Sequence, residues 1–389
     1  MIRNSRKSKP VRLEKTVYIL GAGFSSPAGG PAQDAILGEI WHLPDSREIA
    51  PHKTRLKDFL QNVLNVDETK VCLEDIYTPI DRCLADGISL RGANEDQLQQ
   101  LRDSIGYLIA LAIKNRFDHA TITGAGYVAA FAKHLVGLAA VRAEKAIGKT
   151  DASEAKQYDP LSIISLNWDI LLDNALNEAL KAKDVGLVGG DYAPFGVVDY
   201  CCYISSLNAH ESRIRTGLWS LGCKGYNVKL LKIHGSMNWL QCPNCQQLFV
   251  GFDDKLIVPN FPAPKPCRHC QKQGNTSYLR GSLVMPTFLK DLTNFQIKLI
   301  WQNAGVEIME ARKLVFVGYS LPHADFEFRQ LLSRMVHKDA KIEVVLWDGS
   351  PRYNEECERY KSFFSRHTLA FEPKGVLEFV KKLGSTTGP

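Results

Sequence analysis

The sequence predicts an α/β fold: a doubly wound parallel sheet that carries a helical insertion and a small cysteine-rich module. Three observations predict it. Short apolar runs of strand length alternate with helical stretches from Leu161 onward. The first such run, near the N-terminus, ends in a Gly-rich turn. Between them, Trp41 to about Gln157 shows apolar residues at helical spacing and almost no strand signal.

The elements follow in order. Residues 1–14 form a basic tail, with no apolar stretch or small-residue cleavage site after it. Val17–Leu20 reads as a buried strand, Gly21–Ser25 as a turn, and a helix is expected from near Pro31. In the insertion, Leu98, Leu101, Ile105, Leu108 and Ile109 share a helical face, as do Phe131, Leu135, Leu138 and Val141. Three to five helices are expected there, with an Ala/Lys/Glu-rich exposed end at 142–158. Ile105–Ile113 is too short to span a bilayer, and Tyr127–Val141 contains Lys133 and His134, so both read as buried helices.

Strand character returns at Leu161–Ser165, followed by an amphipathic helix that opens near Asn167. Residues 185–227 read as irregular, 230–235 as a strand and 242–270 as the cysteine-rich module. A helix (293–311), a strand (Lys313–Val317), a turn, a helix to about Val336, a strand (Ile342–Trp347) and a helix near 374–383 complete the chain. The division expected is a Rossmann-like domain of 15–40 and 158–389, a helical insertion of 41–157, and the module at 240–281. No repeat of 20–50 residues is visible.

Composition narrows the function classes. The chain has 389 residues, 45% hydrophobic and 23% charged, which excludes wholesale disorder. A net charge of +6 spread over this length does not indicate direct nucleic-acid binding. Ten cysteines, four of them in two Cys-x-x-Cys pairs, point to metal in a reducing, cytoplasmic setting rather than to disulfides.

Four groups of residues carry chemistry. Gly21, Ala22, Gly23, Phe24 and Ser25 lie between a strand and a helix, where glycines let a pyrophosphate approach the backbone. Ser26 stands where the dinucleotide fingerprint has its third glycine, so a hydride-transfer site is not expected, and a strand–helix turn without a ligand has the same pattern. Cys242, Cys245, Cys267 and Cys270 have the spacing of a zinc ribbon whose four thiolates close a structural site. His269 is a bystander in that module. The spacing of Cys201, Cys202 and Cys223 fits no metal pattern. Asn167 and Asp169 follow a strand and open a helix, which helix capping alone would explain. His234 ends another strand, where a lone histidine is ordinarily structural.

In chain order, Gly-Ala-Gly-Phe-Ser, Asn-x-Asp, His-Gly, the two Cys-x-x-Cys pairs and Val-Gly-Tyr-Ser resemble the sirtuin superfamily, over about 15–40 and 160–350. The resemblance implies that Gly21, Ala22, Gly23 and Ser25 hold NAD, that Asn167, Asp169 and His234 surround the nicotinamide ribose, and that Gly318, Ser320 and Asp348 serve the rest of the dinucleotide. It departs from the deacylases at Gly29–Asp34, where their Phe and Arg are missing, and at 283–291, where their Phe-Gly-Glu is missing. The stretches 283–291 and 317–325, with Trp301, look like the bacterial sirtuin-like NADases of antiphage defence. The function implied is NAD glycohydrolase activity that depletes NAD in a gated assembly, with structural Zn2+. The alternative is an NAD-dependent protein deacylase or ADP-ribosyltransferase, which the zinc ribbon favours. Gating implies a homo-oligomer or a separate partner such as an NTPase or nuclease, and no membrane partner.

Overall fold

The computed structural model describes residues 14–68, 70–119, 125–146, 161–185, 196–207, 226–252, 256–285, 287, 290 and 292–385. The basic tail before Glu14, most of the expected exposed end at 142–158, and Cys223 lie outside the described residues.

Seven strands form a parallel sheet in the order β11 (Thr368–Glu372), β10 (Lys341–Val345), β9 (Lys313–Val317), β1 (Thr16–Leu20), β2 (Leu161–Ser165), β5 (Tyr226–Lys232) and β3 (Gly196–Asp199). β1 sits at the centre, with Leu20 level with Ser165 of β2 on one side and Val317 of β9 on the other. Both faces are covered. Tyr18 meets Phe131 of α6 (Gly126–Ala146) edge to face at 5.4 Å. The next residue, Ile19, points to the opposite face, level with Phe316, whose ring packs on Tyr360 and Phe364 at the end of a helix spanning Tyr353–Phe363. Strands buried on both faces explain the near-continuous apolar runs in the sequence. The doubly wound parallel sheet is therefore present as expected.

The helices of 41–157 do not all pack together. α2 (Ile36–His42), α3 (Ala50–Asp58), α4 (Leu73–Asp86) and α5 (Glu95–His119) share a second core with the cysteine module, joining Ile105 and Ile109 to Cys242, Phe249 and Cys267. Phe131 and Leu135 of α6 instead belong to the core of the large sheet. Their apolar faces have the same period, so the sequence pattern could not separate them.

A second sheet, β4 (Ile204–Ser206), β7 (Leu248–Val250), β6 (Gly235–Gln241) and β8 (Arg280–Leu283), carries the module. β4, β3 and the start of β5 fall in the stretch expected to be irregular. They are short and hold Gly, Ser, Asn and Asp, which mask a strand signal. The helix expected near Pro31 is also displaced. One helical turn, α1 (Ala22–Ser25), forms directly after Gly21, and α2 starts only at Ile36, beyond Pro31 and the two glycines before it. β11 and the helix at Tyr353–Phe363 were not expected, and the strand expected to end at Trp347 ends at Val345. No helix among the described residues is long and apolar enough to cross a membrane.

The turns after β1 and β9 touch backbone to backbone. Gly23 N donates to Gly318 O at 2.8 Å, and Gly318 has φ 63°. A Cβ on Gly318 would stand 2.2 Å from the Phe24 nitrogen and 2.3 Å from the Gly23 carbonyl carbon. Gly318→Ala should therefore cost about 2–5 kcal/mol in urea unfolding, combining left-handed strain with overpacking. Gly137→Ala, with nothing within 4 Å of the new methyl group on α6, should gain about 0.5–1 kcal/mol. Equal effects at the two positions would contradict the close turn contact.

Candidate functional site

β1, β2 and β5 deliver their C-terminal ends to one pocket, which the segment after β9 reaches through Asp325. It is lined by Ser25, Asn167, Asp169, His234, Lys290 and Asp325, and walled by apolar residues that include Ile113 and Phe117 of α5. Crevices at the carboxyl ends of parallel strands, where strand order reverses, are the usual ligand positions of such sheets. Here the reversal lies at β1, since β2 and β9 flank it on opposite sides.

Three polar residues form one mesh after β1 and β2. Ser25 Oγ donates to Asp169 Oδ2 at 2.6 Å and accepts from Asn167 Nδ2 at 3.1 Å. Asn167 Nδ2 also donates to the Gly21 carbonyl at 2.9 Å. Its amide oxygen takes no hydrogen bond among the described residues. Asp169 Oδ1 accepts from the Leu171 nitrogen at 3.1 Å, so half of this carboxylate does cap the following helix, α7 (Leu171–Val185), and the other half serves the mesh. Burial pushes the Asp169 carboxyl above its ordinary value, against the pull of the Lys232 charge and of the Ser25 hydrogen bond.

Beneath Asp169 lies a buried ionic group that the sequence reading missed. Lys232 Nζ, wholly buried, donates to the Asp169 carbonyl and to Asp173 Oδ2 at 2.9 Å. Tyr200 Oη donates to Asp173 Oδ1 at 2.8 Å. A lysine at the end of an apolar strand and an aspartate on the inner face of an amphipathic helix were the available signals.

His234 occupies the turn between β5 and β6, where the chain leaves the large sheet for the small one. Gly235 has φ 72°, and a Cβ there would meet the Ser282 carbonyl oxygen at 2.2 Å, so the His-Gly pair is fixed by this crossing. Trp301 Nε1 donates to the Ile233 carbonyl at 2.8 Å and braces the turn. His234 Nδ1 donates to the Leu166 carbonyl at 3.1 Å, which leaves Nε2 as the unprotonated nitrogen, buried in the wall of the pocket. Burial above all, then the Lys290 charge, lowers its pKa to about 4 despite Asp325. The ring is a neutral base at pH 7.

The other expected residues are placed differently. Gly21 N donates to Val317 O at 3.1 Å, so it joins the first turn to β9. Ala22 lines the pocket, but the Phe24 ring is buried against Tyr127 and Phe131 and offers a ligand nothing but backbone. Gly318 and Ser320 follow β9 outside the pocket lining, with the Ser320 carbonyl accepting from Arg359 Nε at 3.0 Å. Asp348 follows β10 and pairs with exposed Lys374 at 3.0 Å.

Cys242, Cys245, Cys267 and Cys270 form a second site, none of them in the pocket lining. Their sulfurs lie within 4.8 Å of one another, with Cys242–Cys270 at 3.6 Å and Cys245–Cys267 at 3.7 Å. Zn–S bonds of about 2.3 Å in a tetrahedron require sulfur edges of about 3.8 Å. The four cysteines therefore fit zinc, and those distances are far beyond disulfide bonding. His269 is exposed and takes no part.

No protein-family model matches the chain, and no curated protein matches it. Among solved structures it is similar to a Sir2 homologue in complex with NAD, at 14% identity and a TM-score of 0.43, covering 96% of this chain and 89% of that one. It is similar to a mutant Sir2 homologue in complex with ADP-ribose, at 14% identity and a TM-score of 0.41, covering 97% and 93%. A third similar structure is a Sir2 protein bound to a propionylated peptide, at 13% identity and a TM-score of 0.35, covering 96% and 92%.

Two measurements test the site. Cys267→Ser should remove zinc from the purified protein by elemental analysis and lower its melting temperature. Metal-free protein with an unchanged melt would contradict a structural zinc. For His234, the folded pKa of about 4 lies below the ordinary 6.5. Its neutral form therefore stabilises the fold above pH 6.5, by on the order of 3 kcal/mol. That stability is lost as pH falls from 6.5 through 4. The stability difference between wild type and His234→Gln should shrink over this window, and parallel curves would show a ring that titrates normally.

Proposed function

We propose that this protein cleaves the nicotinamide–ribose bond of NAD by hydrolysis, giving nicotinamide and ADP-ribose. The observation that carries the reading is the convergence of Asn167, Asp169 and a neutral His234 on one pocket at the strand reversal. The motif resemblance to sirtuin-like NADases supports the choice of NAD.

The reaction loosens the ribose C1′–N bond into an oxocarbenium-like state, and the nicotinamide leaves neutral. The residues required are ones that orient the ribose, support the positive charge and take a proton from water or a hydroxyl. Asn167, tied to Gly21 and Ser25 through its amide nitrogen, presents its oxygen to orient the ribose or the water. Asp169 offers charge beside it. His234 receives the proton at Nε2, a role ordinarily contributing about 10²–10⁴-fold. Ile113, Phe117 and Val284 keep bulk water from the reacting carbon. Gly318, Ser320 and Asp348 follow the neighbouring strands β9 and β10, where the adenosine half would extend, and Asp348 would there exchange its Lys374 partner for a ribose.

We place the activity in antiphage defence in the cytoplasm, gated by self-association or by a separate NTPase or nuclease. The zinc cluster favours a second reading, NAD-dependent deacylation or ADP-ribosyl transfer. Incubation with NAD separates the two. ADP-ribose formed without any peptide supports hydrolysis, and O-acetyl-ADP-ribose formed only with an acetylated peptide supports deacylation. Asn167→Ala should abolish ADP-ribose release while melting within about 3 kcal/mol of wild type, the cost of its two hydrogen bonds to Gly21 and Ser25. His234→Ala should slow turnover by about 10²-fold or more with NAD affinity little changed. Variants that melt early yet hydrolyse NAD normally would make both residues structural.

A further inference from the structure

Lys290 and Asp325 line the pocket, and no role has been given to them. The Lys290 side chain is 1% exposed, with Nζ 3.1 Å from Asp325 Oδ1. Its backbone nitrogen donates to Glu327 Oε1 at 2.7 Å. Asp325 stands just before the helix Phe326–Met335, where an aspartate ordinarily caps the helix, yet its side chain makes no capping bond. It turns inward instead. Oδ2 accepts from Tyr319 Oη at 3.0 Å, and Oδ1 lies 3.7 Å from His234 Nε2. That nitrogen has no hydrogen-bond partner among the described residues. With Nδ1 donating to Leu166, the neutral ring holds its lone pair on Nε2, facing a carboxylate that would repel it. The Lys290 cation on that same carboxylate oxygen offsets the repulsion. A buried pair is weak evidence of a stabilising role, since apolar residues often serve a core as well or better.

We propose that the Lys290–Asp325 pair is a positioning device for His234, keeping Nε2 unprotonated as proton acceptor in the pocket wall and then stabilising the ring once it is protonated. This rests on the reaction proposed above only for the source of the proton. In that step the O–H bond of a water or ribose hydroxyl breaks, an N–H bond forms at Nε2, and the positive ring faces Asp325 at 3.7 Å. No electrons are exchanged and no further reactant is needed. The other groups about the ring are Asp169 across the pocket, the Leu166 carbonyl, Tyr319 behind Asp325, and the uncharged Trp301, 6.3 Å away. Lys290 and Asp325 act on the ring in opposite directions, the first lowering its proton affinity and the second raising it.

Ring 15N NMR titration of His234 tests this without requiring turnover. In wild type the ring should stay neutral with its proton on Nδ1 from pH 8 to below 6. Lys290→Met should raise the midpoint by about one unit or more, the size of a nearby-charge effect. Lys290→Arg should restore it, and adding Asp325→Asn to Lys290→Met should bring the midpoint back down. Asp325→Asn alone should lower kcat for NAD about tenfold, one unit of proton affinity, with KM little moved. A wild-type ring titrating near 6.5, a proton on Nε2, or a midpoint unmoved by Lys290→Met overturns the proposal, and the wild-type spectrum decides even where a variant does not fold. Shifts as expected without any NAD turnover would instead remove the reaction and leave the pair in place.

Discussion

The contact between Gly23 and Gly318 is the constraint on which the site depends. β1 is the central strand, and the chain goes to β2 on one side and to β9 on the other. The two turns that leave β1 and β9 are packed so closely that a methyl group on either glycine collides with the other's backbone. Their hydrogen bond and the bond from Gly21 to Val317 fasten these strand ends together. With that side closed, Ser25 is directed toward β2, where Asn167 and Asp169 meet it. A bulkier residue at either turn would separate the strand ends and leave Asn167 without its Gly21 anchor.

Two buried ionic groups then set the electrostatics of the pocket. Lys232, Asp173 and Tyr200 lie behind Asp169, while Lys290 and Asp325 line the pocket beside His234, with Tyr319 behind Asp325. In a low-dielectric interior, such groups hold each other rigidly only when every member has its partners. Their effects on the two candidate catalytic groups differ. Asp169 is supported by a cation through its own carbonyl, whereas His234 is kept neutral by burial and by a cation one carboxylate away. The reaction we propose would use this division, with negative charge on one side of the ribose and an unprotonated base on the other.

The parts legible in the sequence are those with a local cause. β1, β2 and β9 show as apolar runs because both faces of the sheet are covered, and the Cys-x-x-Cys pairs show because zinc fixes ligand spacing. Asn167, Asp169 and His234 could be singled out because each follows a strand, although Asp169 also does the capping that explains it without function. Phe24 was placed with the ligand by its position in the glycine turn, but its ring belongs to the core. Asp325 was hidden because an aspartate before a helix reads as a cap, and only the fold shows that it caps nothing. Lys290 gains its meaning only from Asp325 and Glu327, which meet it in space and not in sequence. The shared core of the cysteine module and α2–α5 depends on contacts far apart in sequence, which periodicity does not encode.

The central claim is that one pocket, assembled at the carboxyl ends of β1, β2 and β5, holds the nicotinamide ribose of NAD between Asn167, Asp169 and His234. A crystal structure of the His234→Ala protein soaked with NAD tests it most directly. The account predicts intact dinucleotide, with the nicotinamide ribose beside Asn167 and Asp169 and the adenosine half running past Gly318 toward Asp348. Dinucleotide bound elsewhere, or bound with its adenine in the pocket, would contradict it.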